Sequence, residues 1–389
     1  MNIPHTEFFN RIGALQKMMA AKGFDAILAY GNEAEPQYCR YFSNYWPSFE
    51  TAGILIPVEG KPLLLIGPES YTYACDRSVI TDIRLLKAFR ESSEPEYPGK
   101  TLDTFASAFD EALRGRKARK IGVAGYPLMT VGIYCALKDC FAADGDMEIL
   151  NADALVNRLR MIKAPCELEC MRKAAEITHK TFDYVLETAR VGMTENQVVG
   201  LALGKIHELG AERESFPFWV LSGDGSNQAI SRARDKAIQA GDAAQIQIGA
   251  RVAGYASTIG RCVIFGKADE EQIRLIEAGY ALHQMILETA KAGLPASELA
   301  VRHSALAKQL GCGDWLLYGP CHGNGIMEGE APWVETSSEF LLEENMTFSL
   351  DIFLGNNQLK RGLRIEDVIR ITVDGVENLT NYPKRIFEI

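Results

Sequence analysis

The stretch from about residue 192 to 374 reads as one pattern written twice, and no other feature constrains the fold as much. Gly192-Met-Thr opens a helical segment that ends at Leu209-Gly210, and Gly293-Leu-Pro opens another that ends at Leu310-Gly311. The runs QAGDAAQIQI at 239–248 and EENMTFSLDI at 343–352 then occupy matching places, as do GYAST at 254–258 and GLRIE at 362–366. In this register Gln247 answers Asp351, and Thr258 answers Glu366. A duplicated fold brings such positions together about a pseudo-twofold axis. Four carboxylates there would make a cage for two hard divalent cations, which need several anionic oxygens. In this chain one copy keeps two acids, and the other offers an amide and a hydroxyl.

The 389 residues suit two domains. In the first, at 1–150, a helical period runs over 6–23 with Gly23 as its stop, and short apolar runs follow at 26–29, 52–57 and 62–66. Glu59-Gly60 between the last two reads as a hairpin turn. A further helical pattern near 101–115 and a strand at 120–124 give alternating elements, so an α/β layer structure is expected. In the second domain, at 151–389, a linking helix at 152–161 precedes Pro165, which suits the first turn of a helix reaching about residue 190. Thr194-Glu-Asn-Gln197 is a capping box. Strand-like runs at 216–221, 245–248, 255–265, 346–354 and 363–373, with helices at 269–290 and 297–310, predict an α+β domain with helices packed on an antiparallel sheet.

Composition excludes several classes. The formal charge of −10 argues against nonspecific nucleic-acid binding, which needs a basic face. No apolar run reaches the roughly 18 residues of a membrane span, and Met1-Asn-Ile-Pro-His does not begin a signal peptide. Nine scattered cysteines read as reduced thiols of a cytoplasmic protein. The sequence contains neither a Gly-x-Ser-x-Gly elbow nor a phosphate-binding Walker loop.

The candidate site residues are Gln247, Thr258, His322, Asp351 and Glu366. His322 lies among glycines in GPCHGNGIMEGEAP at 319–332, where backbone can approach a ligand closely. It could act as general acid/base or as a metal ligand, or be held in a loop by hydrogen bonds. Asp351 interrupts the apolar run MTFSLDIFL, where an acid is costly to bury without a partner. Strand alternation places Arg364 and Glu366 on one face, so a structural ion pair between them is the plainest expectation.

These residues, taken in order, resemble the creatinase/aminopeptidase P/prolidase family (M24) and its pita-bread fold. The resemblance spans nearly the whole chain through the Arg160-Met-Ile-Lys-Ala-Pro junction, Ser222-Gly, Ile238-Gln-Ala-Gly-Asp242, Gly249-Ala250, Gly254-Tyr255, His322-Gly-Asn-Gly, Glu330-Ala-Pro and Gly362-Leu-Arg-Ile-Glu-Asp367. It implies an α/β creatinase-type N-terminal domain and an α+β pita-bread C-terminal domain. Metallopeptidase members hold two metals on two aspartates, a histidine and two glutamates. The matching positions here are Gln247, Thr258, His322, Asp351 and Glu366. An auxiliary histidine falls on Gly329, another on Ile230 or Ser231, and creatinase's strand glutamate on Gly260.

From these departures we expect a cytoplasmic homodimer whose pocket holds no metal and needs no cofactor, and which hydrolyses a C–N bond in a small amide- or guanidine-like compound. His322 would move the proton, and the catalytic carboxylates Asp351 and Glu366 would bind a cationic substrate or activate water. Gln247, Thr258, Glu330 and Arg364 would bind substrate, Arg364 by pairing with a carboxylate. No nucleic acid or membrane is expected as a partner. The alternatives are a non-catalytic peptide- or ligand-binding protein, and an Xaa-Pro peptidase-like enzyme with one metal on His322, Asp351 and Glu366. The aromatic run 41–49 would border the dimer contact or the pocket.

Overall fold

The computed structural model describes residues 2–91, 99, 101–142 and 147–389. It separates into two compact units, one from Ile3 to Arg160 and one holding Met161–Ile389. The division falls at the end of the helix Asp153–Met161, which the sequence reading assigned to the second domain.

The first unit is built on a mixed sheet. Its strand order among the described residues is Ile83–Leu85, Leu63–Ile66, Ala52–Pro57, Ala26–Gly31, Lys120–Ala124, Glu148–Asn151. Strands Ala26–Gly31 and Ala52–Pro57 are buried along their whole length. That explains why they read as unbroken apolar runs rather than as alternating ones. The helix His5–Lys22 ends on Gly23 at φ 71°, the left-handed conformation a C-terminal glycine supplies. Of the aromatic run, Tyr41, Phe42 and Tyr45 pack inside their own unit, while Phe49 is 84% exposed.

The duplication is visible in the second unit. Helices Pro165–Thr188 and Glu195–Glu208 pack with strands Ala243–Ile248 and Ile259–Ile264 around one apolar cluster. Helices Glu270–Thr289 and Ala296–Gln309 pack with Thr347–Asn356 and Arg361–Ile371 around a second. Gly192 and Gly293 occupy the turns between paired helices at φ 91° and 86°, and Gly210 and Gly311 follow the second helices at 87° and 72°. Glycine recurs at both pairs because each turn needs a positive φ.

Both halves join one sheet, ordered Glu330–Val334, Cys321–Gly323, Thr347–Asn356, Arg361–Ile371, Ile259–Ile264, Ala243–Ile248, Trp219–Ser222. The expected strand 255–265 is in fact two, Tyr255–Ala256 and Ile259–Ile264, with the chain changing sheets at Ser257-Thr258. The break falls on Ser257-Thr258, two β-compatible polar residues between apolar runs, which read equally well as the polar face of one continuous strand. Side chains alternate across the sheet. Leu350, Ile352, Leu363 and Ile365 face the helices and enter the apolar cluster, each worth roughly 1.5–3 kcal/mol when fully buried. The residues between them face the other way and build the site.

Candidate active site

Strand register assembles the pocket in one row. Asp351 pairs with Glu366, Glu366 with Gly260, Gly260 with Gln247, and Gln247 with Trp219. Gly260 makes room for its neighbours, since a Cβ there would lie 3.0 Å from Glu366 Cβ and 3.3 Å from Arg364 Cγ. On the outer strands His322 pairs with Ser349, two residues from Asp351 and on the same face. Trp219, Ile230, Tyr318, Trp333, Glu328 and Glu335 complete a cavity of about 280 Å³.

Arg364 organises the floor. Its guanidinium is buried and donates to Gln247 Oε1 at 2.6 Å, to the Tyr318 hydroxyl at 2.5 Å and to the Ala229 carbonyl at 2.8 Å. Its Nε lies 3.2 Å from Asp351 Oδ1, an ion pair without good hydrogen-bond alignment. The Trp219 ring covers it at 4.7 Å. Burial opposes the charge, but Asp351, Tyr318 and Glu366 together hold its pKa above the ordinary arginine value. Arg364 and Glu366 do share a face, as alternation requires, but the ion pair forms with Asp351. The guanidinium is committed to protein partners rather than open to a substrate carboxylate.

The acids differ in their freedom. Asp351 Oδ2 accepts from the Tyr318 hydroxyl at 2.7 Å. Glu366 is fully buried; its Oε2 accepts from the Gln247 amide, and its Oε1 accepts from no fixed donor, with the Glu328 carboxyl near enough to share a proton with Glu366. Burial, with the Glu328 and Asp351 carboxylates close by, pushes the Glu366 pKa well above the usual carboxylate range. Glu328 accepts from Ser349 Oγ at 3.1 Å, and Asn324 Nδ2 donates to that hydroxyl at 3.0 Å. His322 Nε2 lies 3.8 Å from Glu328 Oε1. Its Nδ1 lies 3.2 Å from the Gly323 carbonyl, so Nδ1–H donates there and Nε2 keeps its lone pair.

Two of the expected site residues stand apart. Glu330 is buried against Lys163, Oε1 to Nζ 3.3 Å, and accepts from the Met327 amide at 3.2 Å; it does not line the cavity. Thr258 is fully buried and its hydroxyl has no hydrogen-bond partner. The structure also brings in Glu328, Tyr318, Trp219 and Ser349, which sequence reasoning missed. Glu328 stands two residues before Glu330, but the Ala-Pro that follows drew attention to the wrong glutamate.

Comparison with known proteins decides the family. Residues 169–373 match Metallopeptidase family M24, and residues 11–162 match the Creatinase/Prolidase N-terminal domain. The chain belongs to family M24. It is 27% identical to the Xaa-Pro dipeptidase of Pyrococcus furiosus over 97% of this chain and 99% of that protein. The crystal structure of an X-Pro aminopeptidase from Thermotoga maritima superposes with TM-score 0.83 at 25% identity, covering 97% of this chain and 99% of the other. The prolidase from Pyrococcus horikoshii gives TM-score 0.82 at 25% identity, with 97% and 100% covered. The architecture is therefore a creatinase-type N-terminal domain followed by a pita-bread domain.

These findings overturn the expectation of a metal-independent, creatinase-like hydrolase of amides or guanidines. The family is one of metallopeptidases, and the full-length relatives are Xaa-Pro dipeptidases. Loss of the carboxylates at Gln247 and Thr258 had suggested metal-free chemistry. The residues that remain still suit a cation: a buried carboxylate oxygen that accepts no hydrogen bond, a histidine nitrogen with its lone pair free, and a second carboxylate beside both.

Proposed function

We propose that this chain is an Xaa-Pro peptidase-like hydrolase of short peptides that works with one divalent cation. The single observation that carries this reading is Glu366 Oε1, a fully buried carboxylate oxygen that accepts no hydrogen bond, in a group with His322 and Glu328 whose ligand atoms lie within 4.8 Å of one another. When bound, the cation supplies a Lewis acid that lowers the pKa of water and polarises a carbonyl. The protein's own part is to bind and orient. Trp219, Tyr318 and Trp333 offer apolar walls to a side chain or a pyrrolidine ring, in a cavity near the small end of the ligand-pocket range. Arg364 and Tyr318 fix the Asp351 carboxylate, and Gln247 fixes one oxygen of Glu366.

The reading includes a cytoplasmic homodimer. Cys39, Cys170, Cys262, Cys312 and Cys321 are buried free thiols, which supports a reducing compartment. Exposed Phe49, beside buried aromatic neighbours, supports a contact with a second copy. Among the described residues no helix is long and apolar enough to cross a membrane. Sedimentation at micromolar concentration checks the assembly, and a monomer would reject the dimer.

The decisive assay offers Xaa-Pro and Xaa-Ala dipeptides, with tripeptides, to protein loaded with manganese, cobalt or zinc, and detects products by mass. Hydrolysis preferring proline is expected. His322→Ala removes a cation ligand and should lower turnover by roughly a hundredfold or more, beyond the 10–100-fold usual for an outer-shell change. Metal-loaded, folded protein that binds these peptides but cleaves none would overturn the reading in favour of a binding protein.

A further inference from the structure

The family pattern shares two metals among five side chains, and two of the corresponding groups here are already taken. Asp351 has one oxygen on Tyr318 and the other against Arg364. Gln247 points its carbonyl at Arg364 and its amide at Glu366. The buried guanidinium thus fills the space between these positions with a fixed positive charge. A second divalent ion there would meet like charge in a low-dielectric interior, because the one Asp351 oxygen that accepts no hydrogen bond, Oδ1, lies 3.2 Å from the guanidinium Nε.

Beside this half of the site, the groups that can hold a cation converge. The ligand atoms of His322, Glu328 and Glu366 lie within 4.8 Å of one another. His322 donates Nδ1–H to the Gly323 carbonyl and so presents Nε2 as a ligand, the support that metal-binding histidines usually have. Glu328 is steadied by Ser349, and Ser349 by Asn324. Glu366 adds the fully buried Oε1, which accepts no hydrogen bond. Two carboxylates so close in the interior need a proton or a cation between them.

We propose that His322, Glu328 and Glu366 hold a single divalent cation, with Glu328, a residue outside the five family positions, as the third ligand in place of Asp351, and with Arg364 barring a second metal. The proposal rests on the peptidase reading for the kind of chemistry, but not on turnover. Three protein ligands that leave room for water suit a catalytic site. An imidazole with two carboxylates suits zinc, manganese, iron or cobalt.

The test is calorimetric titration of chelator-treated protein with Mn²⁺, Zn²⁺ and Co²⁺, with elemental analysis after dialysis and circular dichroism to confirm folding. One ion per chain is expected. Glu328→Gln should weaken binding by about a hundredfold or more, beyond the 10–100-fold usual for an outer-shell change. Ser349→Ala, which removes the hydroxyl donated to Glu328 together with the acceptor of Asn324 Nδ2, should weaken it by about tenfold and covers the case in which Glu328→Gln does not fold. Asp351→Asn and Glu330→Gln should bind within a few-fold of the parent. Two ions per chain would overturn the proposal. So would Asp351→Asn weakening binding as much as Glu328→Gln, or no binding of any of the three ions at millimolar concentration. One ion lost in Glu328→Gln, in a protein that cleaves no peptide, would support the site while rejecting the peptidase reading.

Discussion

The Arg364 guanidinium donates to the Gln247 side-chain carbonyl at 2.6 Å, and this bond decides which way the amide faces. With its oxygen turned to Arg364, the amide nitrogen can only donate to Glu366, and it does. Glutamine thus joins a cation to an anion through the two ends of one group, which neither aspartate nor glutamate can do.

Gln247→Glu keeps the shape and removes the donor. A carboxylate would still accept from Arg364, but its second oxygen would face Glu366 in the interior. Unfolding by urea at pH 7 should then require about 1–3 kcal/mol less in metal-free protein, the usual cost of a buried group left unpaired. An unchanged midpoint would mean that the amide donates nothing of value to Glu366.

The next residue along the same strand behaves differently because alternation turns it to the other face. Asp367 is fully buried, pairs with Arg261 at 2.9 Å, and lies 3.1 Å from His283. Burial alone would raise its pKa, but Arg261 and His283 hold it far below the usual range. Asp367→Asn strips the countercharge from an arginine with no exposure, so a loss of about 3–5 kcal/mol is expected. Denaturant titration measures it. Because Asp367 faces away from the cavity, the folded fraction should still bind one cation; a folded variant without cation affinity would show that the two faces are coupled.

Much of this site could be read from the chain. The repeat aligned Gln247 with Asp351 and Thr258 with Glu366, and the structure places the first pair and Glu366 along one sheet row. Alternation put Arg364 beside Glu366 correctly. The partners could not be read. Tyr318 arrives from a loop before Cys321–Gly323, Trp219 from an edge strand, and Glu328 from a turn whose only signal is glycine. The segments of Tyr318 and Glu328 carry no period, and the run at 216–221 reads as a strand without showing that Trp219 lies opposite Gln247. With Tyr318 out of view and Arg364 given to Glu366 or to a substrate carboxylate, Asp351 looked as free as Glu366, and the loss of two carboxylates looked like the loss of the metal.

Glu330 offers a test of the opposite kind, since the family-like Glu330-Ala-Pro suggested substrate binding. Its 3.3 Å pair with Lys163 leaves both side chains at most 5% exposed. Lys163→Met would leave the carboxylate buried without its cation and should cost about 3–5 kcal/mol of stability. Peptide KM should not change in the folded variant. A raised KM with unaltered stability would return Glu330 to the substrate site.

Histidine 303 sets a pH limit on the fold that lies apart from the pocket. It sits on the helix Ala296–Gln309, 2% exposed, with no partner for Nε2. Burial lowers its pKa from 6.5 to about 4. Between those values the unfolded chain binds a proton that the folded chain refuses. This residue's contribution is therefore intact above pH 6.5, declines as the pH falls toward 4, and is constant below that. At about 1.4 kcal/mol per unit the decline amounts to about 3 kcal/mol. His303→Leu keeps an apolar side chain in the same space and cannot take up the proton. Urea unfolding at pH 7.5 and 5 should show a smaller acid-side loss for His303→Leu than for the parent. Equal losses in the two proteins would mean that His303 is protonated in the fold as readily as out of it, and that its burial is not maintained in solution.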